Sequence, residues 1–321
     1  MVARRTLGRT AHSLYPLGLG GHTYPIGESP DDFATPDERA TLVQTLIDAG
    51  VNYIDTTWLN EVQAVADALR RTGTTRDQVV ISLQYVDGMS DPTWRTKLRA
   101  EIETRLHTLD YSSAPLFLMG VGNAPVPYAE MVAACQAMDN LRSEGLIHHI
   151  GVSCHQIDHY PRLARLIREC DLVDYVLIRF NWKFRQAQEE LFPTARAHNV
   201  GLVLMKVFCW DCGPGQWGRR ISVFEPLTDK ERGHDMHVLT PAQRSLIWCL
   251  QQVPDAVVVP ATNSLWEAGQ NLHALDHLEA TVDTSDFDEY AKRLWSQDEL
   301  HALSERAESS TIRERARKLL D

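Results

Sequence analysis

The 321-residue sequence contains no apolar run of about 18 residues, which argues against a membrane-spanning helix. It also lacks a basic run: 32 lysines and arginines face 43 acids, for a net charge of −11. Nucleic acid and anionic membrane surfaces repel so acidic a chain, and neither is an expected partner. The opening Met1-Val2-Ala3-Arg4-Arg5 has none of the apolar core of a signal peptide, so the expectation is a soluble, cytoplasmic protein. Cysteine is scarce, six in all, and Cys135, Cys170 and Cys249 fall in stretches with helical spacing. There a thiol reads as a small buried hydrophobe in a reducing compartment. No linker, low-complexity stretch or short repeat divides the chain. With 44% hydrophobic residues it can bury one large core, and residues 1–321 read as a single domain.

What is present is organised around Ala49-Gly50-Val51-Asn52-Tyr53-Ile54-Asp55-Thr56-Thr57. A helical run from Glu38 to Asp48 stops at Gly50, where φ can turn positive. A short β-rich run then ends in a carboxylate, Asp55. Further strand-like runs lie at 17–20, 78–85, 115–121, 148–154, 173–181, 200–208 and 255–261. Helical spacing fills 61–72, 91–109, 127–144, 158–170, 186–198, 240–252 and 264–279. Strict alternation with short links argues for parallel β/α units, and eight strands make a closed (β/α)₈ TIM barrel. Residues 4–19 read as a short hairpin leading into the first barrel strand. Residues 209–239, punctuated by glycine and carrying two tryptophans, read as a long lid loop after barrel strand seven. A charged helical tail is expected over 286–321.

The wording AGVNYIDT resembles the second-strand signature of the aldo-keto reductases. Leu7-Gly8-Arg9-Thr10, Ile150-Gly151-Val152-Ser153 and Val259-Pro260-Ala261-Thr262 with Asn271 behind it extend the resemblance over roughly residues 6 to 280. It implies a barrel plugged by an N-terminal hairpin, NADP(H) as cofactor, and a tetrad of aspartate, tyrosine, lysine and histidine. In that tetrad the tyrosine gives a proton to a carbonyl, the lysine lowers its pKa, the aspartate pairs with the lysine, and the histidine orients the substrate. Matched by motif, Asp55 is the aspartate, Asn60 stands for the tyrosine, Gln84 for the lysine and Gly120 for the histidine. An amide gives up no proton in this pH range. The cofactor positions implied by the resemblance are Ser153, Asn263 and Asn271. Cys154 stands where an asparagine would grip the nicotinamide amide, Leu177 where a glutamine would be, and Gln270 where an acid would face adenine. Asn263 replaces the arginine that would meet the adenosine phosphate, although a helix N-terminus alone still attracts an anion.

Strand ends bring other chemistry to the barrel top: His22, Asp55, Gln84, Cys154, His155, Asn181 and Lys206. The stretches Leu204–Phe208 and Gly151–His155 also resemble a less-studied branch of the same family. A lysine facing a barrel interior is either paired or depressed in pKa and reactive. A carboxylate deprived of its lysine must find another cation, bind a ligand, or rise in pKa. Cys209, Cys212, His234 and His237 would suit tetrahedral zinc by count. Their spacing is longer than that of common zinc fingers, and no metal is assigned. The expectation is an enzyme acting on a small polar metabolite by general acid–base chemistry at Asp55, His155 and Lys206. An NADP(H)-dependent oxidoreductase with a rearranged proton donor and a non-catalytic binding scaffold remain as alternatives.

Overall fold

The computed structural model describes residues 2–21, 34–86, 88–122, 126–208 and 239–287, with isolated positions beyond. His22, residues 209–238 of the expected lid with its cysteines and histidines, and most of the expected tail lie outside the described residues.

A two-stranded antiparallel hairpin opens the chain, β1 (Arg5–Thr6) with β2 (Ser13–Leu14). A seven-stranded parallel sheet follows in chain order. Its strands are β3 (Tyr53–Thr56), β4 (Val80–Tyr85), β5 (Ala114–Gly120), β6 (Ile147–Cys154), β7 (Tyr175–Arg179), β8 (Gly201–Met205) and β9 (Val257–Val259). The gap between β9 and β3 is filled by residues 17–20. Gly18 donates to the Val258 carbonyl, Leu19 to that of Tyr53, and Asp55 N–H returns a bond to Leu19. These bridges to both neighbours make the eighth member, so the architecture is the expected (β/α)₈ barrel with its N-terminal hairpin.

Among the described residues eight α-helices surround it: α1 (Pro36–Asp48), α2 (Leu59–Thr72), α3 (Trp94–Leu109), α4 (Tyr128–Ser143), α5 (Tyr160–Cys170), α6 (Leu191–Ala197), α7 (Pro241–Gln252) and α8 (Leu265–Leu275). Local sequence sets their ends. Thr35 and Glu38 form a reciprocal capping box ahead of Pro36, and Thr240 and Gln243 do the same before Pro241. Beyond α1, Gly50 takes φ +99°, the left-handed stop that its sequence suggests.

Alternation along each strand divides the apolar residues into two cores. One lies between sheet and helices. The other fills the barrel with Tyr53, Leu116, Leu118, Tyr175, Leu177, Val203 and Val257. Leu7 and Leu14 of the hairpin, 1% and 0% exposed, close its floor. The inward positions one layer up, at the strand C-terminal ends, are Asp55, Gln84, Gly120, Ser153 and Arg179. Register fixes this layer, because Asp55 pairs with Ser82, Gly120 with Ser153, and Arg179 with Met205. Among the described residues no helix is long and apolar enough to cross a membrane.

Candidate active site

Asp55 is 6% exposed, and among the described residues its Oδ1 has no hydrogen-bond partner. Burial pushes its carboxyl up to about 8; the negative charge of Glu61 adds to the rise and Lys206 opposes it. Glu61 itself is fully buried at the start of α2, where its carboxylate accepts from the N–H groups of Thr57 (2.5 Å) and Trp58 (3.4 Å). A helix cap thus places a second negative charge beside Asp55.

Lys206 follows β8 directly and takes φ +60°, a left-handed conformation that costs a side-chain-bearing residue about 1 kcal/mol. Asn181 holds that turn: its Nδ2 donates to the Lys206 carbonyl at 2.9 Å, while its Oδ1 accepts from Lys183 and Phe184 N–H. Asn181 is therefore a fixture of the backbone. His155 follows β6, and its pKa is held well below the ordinary imidazole value by burial and by the nearby Lys206 and Arg179 charges. It is a neutral base at pH 7. Asp55, Lys206 and His155 are thus brought into one electrostatic neighbourhood at the barrel top.

Arg179 is the fourth member and was not singled out from the sequence. It is 7% exposed, lies over the Phe184 ring at 4.9 Å, and its backbone carbonyl accepts from Tyr160 Oη at 2.7 Å. The signal was available in Tyr175, Leu177 and Arg179, an inward series ending in a charge. Glu61 was missed as well, although a glutamate in the first turn of a helix is an ordinary capping signal.

Three sequence expectations change. Asn60, placed at the tyrosine position, is exposed on the first turn of α2 and does not join the buried group; the inward residue there is Glu61. Cys154 packs into the outer core with its thiol donating to the Gln156 carbonyl and pushed up to about 12 by burial. It cannot face the pocket, because its neighbour Ser153 takes the inward position. Gln84 is inward and buried as expected, but its amide donates to Ser153 Oγ at 2.5 Å, so the two positions that the resemblance gives to the lysine and to the cofactor satisfy each other.

At Gly120, the position that the resemblance gives to the histidine, the backbone leaves no room for a side chain. A Cβ at this position would come within 2.0 Å of the Val86 carbonyl oxygen, and one at Gly88 (φ +31°) within 2.4 Å of the Gly120 carbonyl. Gly120→His is expected to cost about 3 kcal/mol or more, since backbone must move. Urea denaturation of Gly120→Ala and Gly120→His measures this, and a loss below about 1 kcal/mol would contradict the close contact.

Of the cofactor positions implied by resemblance, Asn263 precedes α8, Asn271 lies within it and Ser153 lies on β6; the residues at the start of α8 do not suit a phosphate. Ser264 Oγ accepts from Glu267 N–H at 3.2 Å, and the Glu267 carboxylate accepts from Asn263 N–H at 2.5 Å. A helix N-terminus that could meet an anion is therefore occupied by a carboxylate of its own. Asn271 donates to Thr262 Oγ1 at 3.1 Å, and Asn263 is 6% exposed. Among the described residues no group of three or more histidine, cysteine or acidic side chains gathers to hold a metal ion.

Comparison with known proteins agrees with the architecture. The profile of the Aldo/keto reductase family matches residues 16–209. A probable aldo-keto reductase 1 from Glycine max is 26% identical over 201 residues, 56% of this chain and 55% of that protein, so the match spans about half of the curated relative. An aldo/keto reductase from Klebsiella pneumoniae, solved with NADP and acetate, superposes with a TM-score of 0.62 at 21% identity, covering 92% of this chain and 96% of its own. The holo form of an aldo-keto reductase from Bacillus halodurans gives a TM-score of 0.61 at 17% identity, covering 92% and 97%. At these identities the superpositions carry the fold and no more. The profile spans more than half of the sequence, and the chain belongs to the aldo/keto reductase family.

Proposed function

We propose that the chain is an enzyme acting on a small polar metabolite by general acid–base chemistry at the barrel top, without the family's carbonyl reduction. The observation that carries this reading is Asp55: buried, with an Oδ1 that has no partner among the described residues and a carboxyl pushed up to about 8. A carboxylic acid that keeps its proton at neutral pH is a proton donor, the role left open by Asn60. His155, neutral because burial and two cations depress it, is the acceptor. Lys206 and Arg179 supply the positive charge that steadies an anion developing on the substrate. His155 takes a proton from one substrate atom while Asp55 gives one to another. That pair suffices for an elimination, an isomerisation or a hydrolysis.

Activity is then expected to follow the two groups. It needs His155 unprotonated and Asp55 protonated, so turnover is level through neutral pH and falls as Asp55 ionises near pH 8. A pH–rate profile rising through pH 8 would contradict this assignment. Screening polar metabolites with parent, Asp55→Asn and His155→Ala proteins tests the reading. Losses of about a hundredfold or more in both variants support it, and unchanged turnover in both removes it. Kinship with nicotinamide enzymes favours a second reading, an NADP(H)-dependent oxidoreductase with a rearranged proton donor. Ser153, Asn263 and Asn271 are its candidate contacts, and Glu267 at the start of α8 weighs against it.

A further inference from the structure

Along β8 the apolar residues alternate between the two cores. Val203 and Met205 fill the barrel, while Leu202 and Leu204 pack under the helices. Continued alternation would send Lys206 toward the helix layer and Val207 into the barrel. Val207, 1% exposed, belongs instead to the outer core. The faces therefore exchange at Lys206, the residue at φ +60°. Its left-handed turn gives the outer position to Val207 and takes the lysine out of an apolar layer, where an ammonium would be costly.

A residue with a side chain keeps such a turn only where its surroundings over-determine it. Three consecutive carbonyls are held here. That of Met205 accepts from Phe180 N–H at 3.2 Å, that of Lys206 from Asn181 Nδ2 at 2.9 Å, and that of Val207 from Ser245 Oγ at 2.8 Å. Asn181 is 1% exposed, and Ser245, on α7 before Leu246, Ile247 and Trp248, is 0% exposed. No water reaches these groups to replace a lost bond, so each bond is costly to break. A serine inside a helix often returns its hydroxyl to the carbonyl one turn back. Ser245 directs its own across to the chain that follows β8.

We propose that Ser245, together with Asn181, is a positioning residue that clamps residues 205–207 in the turn presenting the Lys206 ammonium to the barrel top, a role that rests on the site proposed above. The charge so placed acts on both other members of that site. It opposes the rise of the Asp55 carboxyl, and it helps to hold the His155 imidazole low. With the clamp released, residue 206 returns to the extended conformation and the ammonium turns away from both.

Infrared titration of the Asp55 carboxyl in the full-length protein tests the clamp. Each spectrum is the difference from the same protein carrying Asp55→Asn, and the backgrounds are parent, Ser245→Ala, Lys206→Met and the double variant. Lys206→Met is expected to raise the Asp55 midpoint by on the order of one pH unit, because a neighbouring positive charge is gone. Ser245→Ala should raise it in the same direction, and should add nothing in the Lys206→Met background. A midpoint that Ser245→Ala leaves unchanged, or moves equally in both backgrounds, would overturn the proposal and leave the serine a helix-packing residue. So would an unmoved midpoint in Lys206→Met. A second comparison does not need Ser245→Ala to fold. Lys206→Gly should melt about 2 °C above Lys206→Ala, since glycine takes a left-handed turn without strain. Equal or reversed melting would remove the turn, and the clamp with it. The parent midpoint decides whether Asp55 is the proton donor, and the differences between backgrounds decide the clamp, so either can fail alone.

Discussion

Asp55→Asn is expected to melt higher than the parent protein at pH 8, and the difference should vanish toward pH 4. The folded carboxyl titrates near 8 against an ordinary value of 3.8. A folded-state value above the unfolded one means that folding favours the proton. Below the unfolded value both states hold it and Asp55 costs nothing. As pH rises between the two values, only the unfolded state has released the proton, and stability falls; above 8 the loss is complete. About three pH steps at 1.4 kcal/mol each give an upper bound of about 4 kcal/mol at pH 7. For a chain of this size that is on the order of 5 °C in melting temperature. An asparagine carries no such dependence. Calorimetry of both proteins at pH 4.5, 6 and 8 reads the effect directly. Parallel melting curves at every pH, or a variant that is less stable at pH 8, would show that Asp55 is ionised and well paired. Loss of turnover together with a gain in stability is the signature of a residue kept for chemistry.

NADPH is expected to bind no tighter than tens of micromolar. A nanomolar dinucleotide site rests on charge-assisted contacts worth about 1.5–3 kcal/mol each, and losing two or three weakens it by a thousandfold or more. Here Asn263 offers a neutral amide where the resemblance places an arginine, and Gln84 already engages Ser153. Glu267 adds an opposing charge within 2.5 Å of the Asn263 N–H. Glu267→Gln should therefore improve NADPH binding by about fivefold, since one repulsive charge at a helix end is worth about 1 kcal/mol. Fluorescence titration of both proteins measures this. Sub-micromolar binding to the parent would restore the nicotinamide oxidoreductase reading. A Glu267→Gln variant with unchanged affinity would place any phosphate elsewhere.

Much of the fold was legible because it depends on local and periodic signals. Alternating strand and helix spacing gave the barrel, and the helices fall within a few residues of the spacing that suggested them. The glycine after α1 and the acid two residues past Tyr53 stand where the chain pattern places them. The site was less legible, since its decisive facts are tertiary. Nothing near Gly120 in sequence announces the Val86 carbonyl that crowds it. Nor does the lysine-bearing stretch after β8 announce a left-handed turn at Lys206. Asn60 and Glu61 are adjacent, and only the docking of α2 decides which one turns inward. Cys154 was misplaced by one residue of strand alternation, a slip that exchanges the two faces of a sheet. Arg179, by contrast, could have been found by extending the same alternation along β7.

The protonation of Asp55 in the folded protein decides whether it can serve as the proton donor. Infrared difference spectra of parent minus Asp55→Asn, recorded from pH 5 to pH 9, isolate the carboxyl stretch of this one residue. A protonated carbonyl band that persists through pH 7 and disappears with a midpoint near 8 is the expected result. A carboxylate signal already complete at pH 6 would mean that Asp55 retains an ion-pair partner, and its role as proton donor would be lost with it.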